Sequence, residues 1–287
     1  VNQVSWSPTG AIELKAMPAS AVAASQAAST ASASATQSTP GFQSTIDYAA
    51  LKQSANDNPS SVANKDALPS KQVFIKPDEL LVFKTQALLN WHGHSVGALT
   101  GIMNKNTIKA MQIFQQKHNL PVTTTMDEAT WSALTSNETL NKQPIFINYQ
   151  LTRDDLVITK APKDMQYKSA REAVAEKFHM SQKLVSRLNP TTPLKAGNVI
   201  TVYNPYQPNM TEVTKVISDK KKNILYAYAA SGELVASYPT TVGSNYTPSP
   251  SGSLKVKNRV LNPTYNTDFS SKEKWLPPGP NNPVGRA

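Results

Sequence analysis

Between Ala19 and Thr36, 16 of 18 residues are alanine, serine or threonine, with no charge and no aromatic ring. Such a segment buries too little apolar surface to offset the conformational entropy lost on ordering, so no compact unit is expected to run through it. Alanine favours helix, but a helix with nothing to pack against is marginal. The mixed stretch up to Ser70, broken by Pro40, Pro59 and Pro69, continues the same character. Residues 1–75 are therefore expected to form a disordered Ala/Ser/Thr-rich tether. At roughly 100–200 residues per domain, the rest of the 287 residues suits two or three small units better than one large core.

The chain contains no cysteine. Disulfides, thiolate zinc sites, iron–sulfur clusters and a thiol nucleophile are thereby excluded within these residues. Its net charge is +10, from 29 basic and 19 acidic side chains, and the excess is spread along the chain. The tightest cluster, Lys220, Lys221 and Lys222, lies between two strand-like runs and reads as a solvated turn. With no basic stripe and no recognisable motif, nucleic acid is not expected as a partner, whereas a polyanionic wall or membrane surface is compatible. No run approaches the roughly 18 apolar residues of a membrane span, so no transmembrane segment is expected. The first residues lack a basic stretch followed by an apolar one. Pro18 to Ala23 has the small residues of a cleavage site but no hydrophobic run before it, so the start at Val1 is expected to be a processed end or a fragment edge.

Three patterned regions follow the tether. In residues 76–140, Pro77, Asp78 and Glu79 suit a first helical turn that leads into an apolar run up to Trp91. Gly93, Gly97 and Gly101 mark a loop, and Ile108, Met111 and Phe114 line a second helix from Lys105 to His118 that Pro121 stops. Thr125 followed by Glu128 fits a capping box for a third helix carrying Trp131 and Leu134. In residues 145–208, Ile145 to Thr159 reads as extended, Ser169 with Glu172 fits a second capping box, and Leu184, Val185 and Leu188 supply a short helix before Asn189-Pro190. A strand from Val199 to Tyr203 completes a small mixed module. In residues 211–287, Val213–Ile217, Ile224–Ala229, Leu234–Tyr238 and Leu254–Val256 read as antiparallel strands, and Asn262 to Gly285 as a proline-constrained loop.

The first unit resembles the peptidoglycan-binding three-helix domain. Gln86, Leu89, Gly93, Val96-Gly97, Gly101-Ile102, Thr107, Ala110 and Phe114-Gln115 before Leu120 carry the resemblance. The family's usual Asp and Gly are replaced by Thr100 and Asn104. Gln86 and Gln115 are expected to satisfy buried backbone groups and not to touch ligand. The second unit resembles a lysin-motif module in Ser169 to His179, Leu188-Asn189-Pro190 and Ala196 to Ile200, which implies binding of N-acetylglucosamine and N-acetylmuramic acid strands.

The third unit resembles the N-terminal part of the all-β L,D-transpeptidase catalytic domain. The residues concerned are Ile217 to Tyr228, Tyr238-Pro239, Val242 to Ser244, Thr247 to Gly252, Asn262 to Tyr265, and the string from Leu276 through Pro-Pro-Gly-Pro-Asn-Asn-Pro to Gly285. The family also requires a His-Gly and a Ser-His-Gly-Cys segment. All four histidines, His92, His94, His118 and His179, lie upstream. No catalytic residue is assigned, and the Cys and His are expected after Ala287. The resemblance implies that a Cys thiolate attacks a tetrapeptide stem, expels D-alanine and passes the acyl group to an amine, with oxyanion donors stabilising the tetrahedral intermediate. Crosslinking, attachment to a wall-linked lipoprotein and D-amino-acid exchange each fit as acceptor chemistry.

Other constellations are weaker. Ser271/Lys274 and Ser218/Lys221 have Ser-x-x-Lys spacing without the Ser-Asp-Asn and Lys-Thr-Gly that a penicillin-binding enzyme needs. His92 and His94 are too few to hold a metal. Asp78-Glu79, Asp127-Glu128 and Asp154-Asp155 are adjacent pairs whose side chains diverge, so glycosidase chemistry is not expected. The sequence thus indicates a multidomain α+β protein of the periplasm or cell envelope, with no cofactor and no metal. Its partners are expected to be peptidoglycan glycan strands and stems. Its function reads as an L,D-transpeptidase lacking the nucleophile in this stretch, or alternatively a non-catalytic wall anchor. An incomplete β region is expected to have unpaired edges.

Overall fold

The computed structural model describes residues 2–6, 12–16, 77–159, 165–206, 209–266 and 275–284. Strands β1 (Asn2–Trp6) and β2 (Ile12–Ala16) pair antiparallel inside the stretch read as a tether, the rest of which lies outside the described residues.

Helix α1 (Pro77–Trp91) begins as expected, with proline at its first position and two acids in its first turn facing the positive end of the helix dipole. Helix α2 spans Lys105–Lys117, and its N-cap is Asn104, whose Oδ1 accepts from the backbone N–H groups of Asn106 and Thr107. Helix α3 (Glu128–Thr135) corrects the capping assignment. Asp127, not Thr125, accepts from Thr130 N–H at 2.7 Å, while the Thr125 carbonyl accepts from the Thr123 hydroxyl. Aspartate two residues later in the chain competes for the same role and is the stronger cap, which the capping-box spacing alone did not weigh. A fourth short helix, α4 (Glu138–Asn141), is capped by Asn137 and was not anticipated.

In the second module only β3 (Phe146–Gln150) of the long extended stretch is a strand. The chain then turns through a 3-10 segment, Asp154–Leu156, because Asp155 Oδ2 accepts from both the N–H and the hydroxyl of Thr152. Helices α5 (Ala170–Lys177) and α6 (Gln182–Leu188) follow, capped by Ser169 and Ser181. β4 (Val199–Tyr203) returns antiparallel to β3, with Phe146 opposite Tyr203 and Gln150 opposite Val199. Asn189 closes this unit. Its Oδ1 accepts from Thr201 N–H, and its Nδ2 donates to the carbonyls of Val185 and Thr201.

The third unit is a meander of β5 (Lys215–Asp219), β6 (Ile224–Tyr228) and β7 (Leu234–Pro239). Leu254–Val256, expected as a strand, is exposed and irregular, lying beyond the proline-interrupted segment with Pro248 and Pro250. Conversely, the stretch expected to be all loop contains the paired two-residue strands β8 (Tyr265–Asn266) and β9 (Trp275–Leu276), too short to leave a periodicity in sequence.

The units do not sit as separate beads. One core cluster lies inside the helical unit and includes Leu88, Leu89, Met111, Phe114 and Leu134. A second cluster joins Leu80, Leu81, Phe83 and Ala87 of α1 to Phe146, Val174, Val185 and Tyr203 of the second module. Across that junction Phe83 meets Phe146 edge-on at 5.2 Å, Trp91 stacks on Tyr203 at 6.4 Å, and Arg187 grips the Glu79 carboxylate with both terminal nitrogens. The sheet also docks on the helical unit. Ser95 N–H donates to Ser237 O at 2.8 Å and Ser237 N–H to Gly93 O at 2.9 Å, which covers part of the β7 edge that would otherwise be open.

Candidate functional site

The loop between α1 and α2 is organised from beneath by one side chain. Gln86 is fully buried; its Oε1 accepts from Thr100 and Gly101 N–H, and its Nε2 donates to Ile102 O at 3.0 Å and Thr107 Oγ1 at 2.9 Å. Gln115 does the same for the turn after α2. Its Oε1 accepts from Thr123 N–H, and its Nε2 donates to the hydroxyls of Thr123 and Thr130. Both glutamines hold backbone in place, as buried amides must when their bonds are all made inside the protein.

The two departures from the family pattern are also structural. Thr100 Oγ1 accepts from Ile102 N–H at 3.2 Å, and Asn104 caps α2. A glycine at 104 would forgo the side-chain cap. Asn104→Ala is expected to lower stability by about 1 kcal/mol and Asn104→Gly by only a few tenths. Urea denaturation midpoints of the two variants provide the check, and an alanine variant as stable as the parent would show that the cap contributes nothing.

Charged and titratable residues singled out in the sequence fall to separate tasks. Glu79 pairs with Arg187, Asp127 caps α3, and Asp155 pairs with Lys177, whose ammonium also lies 4.8 Å from the centre of the Tyr149 ring. Burial alone would raise the Asp155 pKa, but hydrogen bonds from Lys177, Thr152 and Tyr149 outweigh it and hold the carboxyl below its ordinary range. No adjacent acid pair therefore converges on one point. His92 Nε2 lies 3.1 Å from Leu134 O, and His118 packs against Phe114 at 4.2 Å. His94 is fully buried, with Nδ1 3.0 Å from Ser237 Oγ. Among the described residues, no group of three or more His, Cys, Asp or Glu is placed to hold a metal ion.

Sequence reasoning passed over Lys84. It lies in α1 with no exposed surface, donates to Asn141 O, and sits 5.6 Å from the centre of the Trp91 ring. Burial lowers its pKa to about 8. The only hint in the sequence is a lysine set in the midst of an apolar helix. Of the Ser-x-x-Lys spacings, Ser218 stands on β5 and Lys221 in the following turn, and Ser271/Lys274 lies outside the described residues.

The proline-rich string anchors to the second module. Asn281 N–H donates to Met165 O at 2.9 Å, and its Nδ2 donates to Gln166 O and to Glu172 Oε1. Asn282, nearly buried, donates to Pro277 O at 2.8 Å and more weakly to Pro263 O.

No helix among the described residues is long and apolar enough to cross a membrane. No curated protein matches the chain. Residues 81–134 match the family described as "Putative peptidoglycan binding domain", a span that runs from α1 to α3 and contains both scaffolding glutamines. The helical unit thus matches a peptidoglycan-binding domain, which supports peptidoglycan as its partner and points to the cell wall or envelope.

Proposed function

We propose that the chain is part of an L,D-transpeptidase of the periplasm or cell envelope, whose binding units hold it on the peptidoglycan it remodels. The observation that carries this reading is the peptidoglycan-binding domain at residues 81–134. The strand–helix–helix–strand order of β3, α5, α6 and β4 supports a lysin-motif-like second module that takes glycan strands. The resemblance of the Pro-Pro-Gly-Pro-Asn-Asn-Pro string to the transpeptidase family supports acyl transfer from tetrapeptide stems as the reaction. Because the first two units share a core, they would present their surfaces to the wall in a fixed geometry, unlike modules on a flexible linker, whose effective concentration depends on linker length.

The peptidoglycan-binding domain fits a second reading at least as well, a non-catalytic wall anchor. Two measurements separate these possibilities. The chain is expected to pellet with purified peptidoglycan, and pelleting no greater than that of a residue 1–75 control would overturn both. It is also expected to release no D-alanine from tetrapeptide stems, because no thiolate is present to attack. A coding sequence that continues past Ala287 into His-Gly and Ser-His-Gly-Cys supports the enzyme, and a stop codon directly after Ala287 leaves the anchor.

A further inference from the structure

The docked sheet brings together two basic elements that are far apart in sequence. Helix α2 has no acidic residue and carries Lys105 and Lys109 one turn apart, hence on one face. The β5–β6 turn carries Lys220, Lys221 and Lys222. The two meet directly, since Lys109 Nζ donates to Lys222 O at 2.5 Å. Carboxylates are scarce here. Asp219 accepts from the backbone N–H groups of Lys221 and Lys222 and lies 4.0 Å from the Lys222 ammonium. From Lys220 to Asn266 there are six cations and one acid, Glu233, which sits at the far end of β6 and pairs with Lys117 at 3.4 Å.

Beside Lys109 a water-sized depression lies between α2 and the sheet, with Ser95, Asn106 and Ile113 on one side and Tyr238 and Pro239 on the other. Tyr238 keeps 38% of its surface exposed. Like charges gathered on one surface raise the local potential and favour an anionic occupant. Exposed apolar surface beside the charges suits the flank of an extended peptide lying on the surface better than a bare ion.

We propose that this seam between the peptidoglycan-binding domain and the β-sheet docks the carboxylate-bearing peptide stems of peptidoglycan. The inference rests on the wall-binding reading and adds the part of the polymer that is held. The glycan strand presents mainly hydroxyl and amide groups, and the stems carry the free carboxylates that the lysines match. Lys105, Lys109, Lys221 and Lys222 engage those carboxylates, while Lys220 is tied to Ser249 O and Ser251 Oγ, and Tyr238 and Pro239 lie against the aliphatic portions of the stem.

The test uses the full chain and a K105Q/K221Q/K222Q variant, which leaves Lys220 and its bonds to Ser249 and Ser251 in place, with polyglutamate as a probe independent of the wall. Wild type is expected to bind immobilised polyglutamate and the variant about tenfold more weakly, the difference vanishing in high salt as screened ion pairs require. Pelleting with peptidoglycan should fall by a similar factor in the variant, and equally for wild type when the stem carboxyls are amidated. Equal elution of the two proteins from polyglutamate would overturn the lysine surface. Pelleting that is the same for wild type and variant, and for wild type on amidated wall, would overturn the stems as occupant while leaving wall binding intact. Competition by an anionic wall phosphate polymer, without sensitivity to amidation, would assign the seam to that polymer and likewise overturn the proposal. Lysine-dependent polyglutamate binding with no pelleting at all would remove the wall-binding reading, and the stem assignment with it.

Discussion

Replacing Gly93 by alanine is expected to lower stability by roughly 2–5 kcal/mol and to detach the β-sheet from the peptidoglycan-binding domain. Gly93 has φ of +87°, where a side chain is strained, and a Cβ built on it would lie 2.6 Å from Val235 O. That oxygen belongs to β7 backbone and cannot swing aside as a flexible side chain would. The strand would have to move, and with it the hydrogen bonds Ser237 N–H to Gly93 O and Ser95 N–H to Ser237 O. Gly97→Ala is the matched control. Its φ is +74°, but its nearest neighbours, Asn106 Nδ2 and Pro239 Cγ, are at an ordinary 3.6 Å, so it should cost only the backbone term of about 1–2 kcal/mol. Denaturation midpoints give the energies, and hydrogen exchange at Ser237 reports the docking. Equal losses for the two variants, with Ser237 still protected in Gly93→Ala, would show that the close approach at residue 93 does not hold the sheet.

This docking and the shared core mark where sequence reading reached its limit. Local chemistry was legible. Pro77 with two acids, Ser169 as a cap, and the backbone role of Gln86 and Gln115 each follow from interactions within a few residues or from a motif with a fixed loop. The association of units was not. Yet α1 carried a signal for it: Leu80, Leu81, Phe83, Ala87, Leu88 and Leu89 leave it apolar on more sides than a three-helix unit can cover. A helix apolar all round is a buried helix, and the surplus face is the one that meets Phe146, Val174 and Val185. Leu254–Val256 failed for the opposite reason, since alternation describes a strand only when a partner exists to pair with it. For the site, the sequence located the domain through its motifs. The lysine seam remained hidden because Lys109 and Lys222 come together only through the tertiary fold.

Acidification should weaken the same junction, because His94 is buried there as a neutral imidazole. Burial pushes its pKa down to about 3, and the nearby positive Lys117, with His92 and His118, acts in the same direction. In the unfolded chain the ring titrates near 6.5. Above that pH neither state binds the proton and the full stability is present. As pH falls below 6.5 the unfolded chain takes up a proton that the folded one refuses, so stability declines continuously towards pH 3. By pH 5, His94 alone should account for a loss of roughly 2 kcal/mol. His92, His118 and His179 are also lowered by burial and add to the loss, whereas Glu176, raised by burial and by Glu172, opposes it at the acid end. Asp155, held low, contributes only below its ordinary carboxyl range, which separates its effect from that of the histidines. His94→Asn keeps a hydrogen-bonding group for Ser237 without a titrating ring. Its stability should therefore fall less steeply than that of wild type between pH 7 and pH 5, with Ser237 exchange tracking the difference. The His94 ring proton in wild type should hold its neutral chemical shift down to about pH 4. A midpoint near 6.5 for that resonance, or parallel pH profiles for the two proteins, would mean that the ring is protonated in place and that the junction tolerates its charge.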